Sequence, residues 1–227
     1  MDKILNLLTY SHIVAGAISL IAAPIALAVV KGGKAHRLWG KIFFWMMTWI
    51  FITALIISIY KAIPFLLMLS VFSYFSVVSA YRALYMKKFP MAPKWYDWII
   101  VAISAGFMLY FIGWGIYLIT LSAGTIAYLS IFFGLGGLIL VIRNVLDFIR
   151  PPKTKHQWLF RHIGNMTGGF IASVTAFSAN VLNFMPGALQ WLWPSLIGVP
   201  LIIYWIRTYR RKLDEGIPLS KLVELKR

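Results

Sequence analysis

Seven long apolar runs, continuous rather than alternating, constrain this chain more than any other feature: Leu7 to Val30, Trp39 to Tyr60, Ile63 to Met86, Trp98 to Leu121, Thr125 to Ile149, Ile163 to Leu182 and Leu192 to Ile206. A bilayer core of about 30 Å takes roughly 20 mainly apolar residues per helix. Only helices or closed barrels satisfy their own backbone polar groups in lipid. Barrel strands alternate apolar and polar residues, which these runs do not. With 61% of 227 residues apolar and 12% charged, the chain has too little polar surface for a water-soluble domain. The pattern therefore predicts an all-α polytopic membrane bundle of seven transmembrane helices over residues 1–207, followed by a short basic tail over 208–227. No linker is long enough for a second domain.

The cations fix an expected orientation. Of 22 Lys and Arg residues, twenty fall on alternate sides of the runs: four from Lys31 to Lys41, four from Arg82 to Lys94, five from Arg143 to Arg161, and seven from Arg207 onward. Only Lys3 and Lys61 lie on the opposite side. Positive flanks stay in the cytoplasm, so the N-terminus is expected outside and the C-terminus inside. The net charge of +16 is explained by topology, not by a nucleic-acid partner. Its expected partners are anionic lipid headgroups, attracted at about 1 kcal/mol per basic residue near the surface. Trp39, Trp95, Trp98, Trp158, Trp191 and Trp193 sit at run ends as interfacial anchors should. The tail mixes Arg210, Arg211 and Lys212 with Ile217, Leu219, Leu222, Val223 and Leu225, a pattern suited to lying along headgroups.

The first run is too long for a signal peptide, and its positive cluster follows rather than precedes it. An uncleaved first span is expected. Cysteine is absent, which excludes disulfides and thiolate metal or iron–sulfur ligation.

Polar residues inside apolar runs are costly unless they meet a partner or water. Asp97, Arg143, Asn144, Asp147, His162 and Asn165 cluster toward the basic ends of runs four to six, and His36 and His156 fall in basic loops. His12 alone lies toward the other side. In run six, His162, Asn165, Gly169, Ser173, Ala176 and Asn180 recur at spacings of three or four, giving one small, polar face. Close helix packing explains such a face, as does a ligand-lining role. Run one carries a matching stripe of His12, Gly16, Ser19 and Ala23 before Pro24, so runs one and six are expected to pack together, bringing His12 and Asn180 within reach of each other. A satisfied core histidine is the plainer reading of His12.

His36, His156 and His162 with Asp97 and Asp147 supply nitrogen and oxygen ligands enough for zinc or another divalent metal. The six-residue spacing of His156 and His162 is not that of a metal pair on one helix, and Arg161 between them repels a cation. Haem is the second histidine chemistry open to a helical bundle, clamped by ligands from different helices; His12, His36, His162, Asn165 and Asn180 are the candidate cofactor residues. Arg143 and Asp147, four apart, are expected to pair on one helix face. The glycines at 134, 136 and 137 lie within an apolar run with no strand before them, so they read as packing glycines and not as a phosphate loop. Ser173 and Ser178 lack the His and carboxylate arrangement of a hydrolase.

Two stretches, His12 to Pro24 with His36-Arg37-Leu38-Trp39-Gly40-Lys41, and Trp158 through Phe177 with the pattern HIxxMxGxxIAxxTAF, resemble an uncharacterised family of bacterial multi-pass membrane proteins. The resemblance covers about a quarter of the chain. It implies a bacterial cytoplasmic membrane location and singles out His12, His36 and His162. Lys41 stands where that pattern has arginine.

Three functions fit these residues. A haem or metal protein predicts histidines converging on a site. A small-solute transporter predicts a cavity running from the basic face to Asn180. A structural or partner-binding protein predicts packed histidines and no cavity.

Overall fold

The computed structural model describes residues 2–87, 93–150, 154 and 156–224. Lys88, Lys153, Lys155, Leu225, Lys226 and Arg227, counted above among basic flanks or tail residues, lie outside them. Among the described residues eight helices follow in order: α1 (Asp2–Ala28), α2 (Lys34–Tyr60), α3 (Pro64–Ala83), α4 (Trp95–Thr120), α5 (Thr125–Ile149), α6 (Gln157–Val181), α7 (Gly187–Asp214) and the single turn α8 (Leu219–Leu222). Among the described residues there is no strand. Each apolar run falls on one of the first seven helices. Most helices overrun their apolar cores, α7 by the largest margin, because helical hydrogen bonding continues into the polar flanks after the apolar run stops.

Six helices, α1 to α5 and α7, are long and apolar enough to cross a membrane. The protein is thus a multi-pass membrane helical bundle. The outer surface is consistent with lipid contact: Trp45, Leu109, Ile139 and Leu196 are all exposed, which water would penalise. Helix α6 has no stretch as apolar as theirs because polar and small residues, from Arg161, His162 and Asn165 through Thr167, Gly168, Gly169 and Ser173 to Ser178 and Asn180, run along its whole length. It tolerates them because α1, α3 and α7 pack around it. The expected contact between the first and sixth runs is present.

Helix α3 is the second central element, touching α2, α4, α5 and α6. Phe43, Phe44, Met47 and Val77 form one core cluster. Phe65, Phe111 and Phe133 form another, with Trp191 packed against it. The glycine-rich part of α5 does what run-five glycines were expected to do. A Cβ on Gly134 would stand 3.1 Å from the Ile112 backbone nitrogen, and one on Gly137 would strike the Met108 thioether, so α4 and α5 approach at backbone distance. Gly136 faces open space and takes no part in this seam.

Two tryptophans depart from the anchor pattern. Trp158 is buried beside Leu159 and Val223, with the Lys87 ammonium 5.0 Å above its ring. Trp191 packs edge-on to Phe65 at 5.1 Å. Both are held by helix contacts that a linear sequence does not reveal. Trp95, 73% exposed, keeps the position of an anchor.

Candidate functional site

Helix ends set the chemistry here. The last four carbonyls of an α-helix lack intrahelical donors, and the carbonyls of Ala26 in α1 and Ala80 in α3 are both in that position. Two histidines supply the missing donors: His36 Nδ1 lies 2.9 Å from Ala26 O, and His162 Nδ1 lies 3.2 Å from Ala80 O. A carbonyl oxygen can only accept, so each Nδ1 carries the proton. In the neutral ring that leaves Nε2 as the lone-pair nitrogen. Among the described residues, neither Nε2 has a recorded hydrogen-bond partner. Helix capping accounts for one nitrogen of each ring and leaves the other available.

The two rings lie 6.3 Å apart between centroids, at 73° to each other. Both line a cavity of about 490 Å³, within the usual range for small-molecule and cofactor sites. Its walls come from α1, α2, α3, α6, α7 and the tail. Phe43, Trp158, Phe170 and Trp205 make it largely aromatic, while Lys31, Arg37, Lys41 and Lys87 bring cations. Lys31 Nζ donates to Leu27 O and, at 3.4 Å, to Ala26 O, closing the α1 terminus. Burial pulls this ammonium below the ordinary lysine value, because desolvation disfavours its charged form. Tyr81 and Tyr85, four apart near the end of α3, also line the cavity. Sequence reasoning passed over them, although that spacing places two phenols on one face.

The remaining candidates separate from this pair. His12 lies 14 residues before Ala26 on the same helix, about 21 Å along the axis. Its Nδ1 is 2.8 Å from Thr53 Oγ1, whose hydroxyl donates to the Trp49 carbonyl. This is the satisfied core histidine of the plainer reading. Asn180 is exposed and donates to Ala176 O in its own helix at 2.7 Å; no bond joins it to His12 among the described residues. Asn165 is buried one turn from His162 but does not line the cavity. His156 precedes α6 and accepts the Leu159 backbone N–H through its carbonyl at 2.9 Å.

The carboxylates are engaged elsewhere. Asp97, 3% exposed, receives Arg82 Nε at 2.7 Å and Nη2 at 2.9 Å, and also the Lys94 backbone N–H at 2.8 Å. It therefore caps α4 and neutralises a guanidinium together. Asp147 faces Arg161 across helices at 3.8 Å and accepts from Gln157 Nε2 at 3.3 Å, so its ion-pair partner is Arg161 and not Arg143. Arg161 also donates to Asn144 Oδ1 and lies 4.9 Å over the Phe148 ring. Among the described residues, no group of three His, Cys, Asp or Glu side chains is placed to hold a metal ion. Of the five-residue set of His36, His156, His162, Asp97 and Asp147, arginines hold both carboxylates and His156 does not line the cavity, so only His36 and His162 come together there.

Along α6 the polar face divides by depth. Gly169 lets Val77 approach to 2.5 Å of where a Cβ would stand, and Ser173 Oγ contacts Met47 Sδ at 3.1 Å, so this middle stretch serves packing. The cavity lining on α6 ends at Phe170, well short of Asn180.

The chain matches no family model, no curated protein and no solved structure.

Proposed function

We propose that this is an integral membrane haem protein, with His36 and His162 as the two axial ligands in the cavity at its basic end. The observation that carries the reading is the pair of cavity-facing imidazoles, each with Nδ1 tied to a backbone carbonyl and Nε2 left over. A hydrogen bond from the far ring nitrogen orients a ligating histidine and raises its basicity. Metal–imidazole bonds of about 2.0 Å on opposite sides of one ion put two ring centroids roughly 6 Å apart, close to the 6.3 Å found. A bare zinc ion wants three or four protein ligands. A haem brings its own equatorial nitrogens and needs only axial ones.

The rest of the cavity fits the same group. Aromatic walls suit a flat apolar macrocycle, and Lys31, Arg37, Lys41 and Lys87 suit its carboxylates. With both axial positions held by protein, such a group would exchange single electrons rather than bind a substrate at iron. Counting α6 as a span gives the seven-span reading, with the N-terminus outside and the cavity at the cytoplasmic face beside anionic headgroups. A cavity of this size disfavours a purely structural role. Its lining stops about 15 Å short of Asn180, at 1.5 Å per helical residue, and gives no support to a path across the bilayer.

The test is the optical spectrum of gently purified protein, with and without added haemin, for wild type and for His36→Ala and His162→Ala. A stoichiometric six-coordinate spectrum, lost or turned five-coordinate in either variant of equal folding, is expected. A wild type that takes up no haemin would refute the reading.

A further inference from the structure

The chain does not leave the bundle after α7. Gly216, at φ +83°, adopts the left-handed conformation that closes a helix C-terminus. The Gly216 N–H bonds Leu213 O at 3.1 Å and the Ile217 N–H bonds Lys212 O at 3.0 Å. Pro218 then prevents the helix from resuming. The reversed chain makes the turn α8 and comes back to the cavity. Val223 is buried against Trp158 and Leu159, and the Glu224 N–H donates to Lys31 O at 2.8 Å. Gly32, at φ +78°, is shaped to receive it: any Cβ there would collide with the Glu224 carbonyl. The described part of the tail therefore packs one face on protein.

Val223 and Glu224 are themselves part of the cavity wall. We propose that residues 217–224 form a lid on this cavity, hinged at Gly216 and latched at the α1–α2 turn by Val223 and Glu224, and that an anionic ligand competes with the latch. Among the described residues, Glu224 is the only acidic one lining a cavity that also presents Lys31, Arg37, Lys41 and Lys87. Its carboxylate lies against Gly33, at the N-terminus of α2, which has no side-chain cap and attracts negative charge. A ligand carboxylate entering among the same cations weakens that attraction. One buried valine, the half-buried Leu219 and Leu222 beside it and one backbone bond to Lys31 O hold far less apolar surface than the helix seams, so the latch belongs to the low end of local stability and the lid opens while the bundle stays folded. The lid rests on the haem reading only for the identity of its ligand.

The absence of cysteine provides a test that needs no ligand. Gly40 lines the cavity and has open space where a Cβ would stand, so Gly40→Cys reports access through its rate of reaction with a water-soluble maleimide. Adding Val223→Asp, which places a charge among Trp158 and Leu159, is expected to raise that rate about tenfold or more. Adding Glu224→Pro deletes the N–H that binds Lys31 O, and the extended Val223 backbone at φ −143°, ψ 130° accommodates a following proline; a rise of about threefold or more is expected. Unchanged labelling in Glu224→Pro, with the fold intact by thermal denaturation, overturns the lid, whether or not Val223→Asp folds. Haemin release is followed in the same tail variants without the cysteine. Gated labelling in a protein that takes up no haemin keeps the lid and removes the haem reading; haemin bound with ungated labelling does the reverse.

Discussion

Replacing Asp97 with alanine tests whether this carboxylate is a structural partner or a metal ligand. The substitution removes both arms of the Arg82 fork, at 2.7 and 2.9 Å, and the acceptor of the Lys94 N–H. Breaking a buried ion pair from one side costs about 3–5 kcal/mol. Arg82 is 18% exposed where Asp97 is 3%, so the stranded guanidinium recovers some hydration and the lower end, about 3 kcal/mol, applies. The lost cap adds about 1 kcal/mol, giving roughly 4 kcal/mol in all. Asp97→Asn keeps an acceptor for the Lys94 N–H and one bond from Arg82, and should cost about 2 kcal/mol. Denaturant unfolding in detergent micelles measures all of these, and a double-mutant cycle with Arg82→Leu isolates the pair. A coupling of at least about 1.5 kcal/mol is expected. Additive losses within about 0.5 kcal/mol would refute the argument, as would unfolding that depends on added zinc in wild type and not in Asp97→Ala.

Other consequences are equally specific. Gly134→Ala and Gly137→Ala should each destabilise by about 1–3 kcal/mol: the first sets a Cβ against Ile112, the second against the buried Met108 side chain and the Phe72 ring. Thermal unfolding of the two variants in the same detergent measures both losses. His12→Ala should lose about 1 kcal/mol with its bond to Thr53 while leaving haemin uptake and the visible spectrum unchanged, since it stands about 21 Å along α1 from Ala26, whose carbonyl holds His36. Single cysteines report the proposed topology: with intact cells, Ala123→Cys between α4 and α5 should react with an impermeant thiol reagent, and Glu215→Cys should react only after the cytoplasmic face is opened. The reverse pattern would invert the orientation.

What the sequence determined by itself was the solvent and the secondary structure. Apolar runs of this length must lie in lipid as helices, because no other open structure pairs its backbone there, and each run carries one helix whose ends depart from it by a few residues, by more in α6 and α7. The glycines of α5 and the small face of α6 were legible as packing surfaces, since a missing side chain has its consequence wherever the helix lands. His36 and His162 were legible as candidates because an imidazole near an apolar run needs a partner. Their companionship was not. It depends on α1 and α3 both ending beside the starts of α2 and α6, so that two unpaired carbonyls orient two rings toward one cavity. The state of the carboxylates was hidden for the same reason: whether Asp97 and Asp147 are free or already held by Arg82 and Arg161 is a matter of distances between helices. His12 and Asn180 looked like partners on a shared face, yet each found a bond within its own neighbourhood. The tail read as a headgroup anchor from its composition, and only the reversal at Gly216 and the close fit at Gly32 make it a wall of the cavity. Composition fixes which groups need satisfying, and the packing of chain ends decides which neighbour satisfies them.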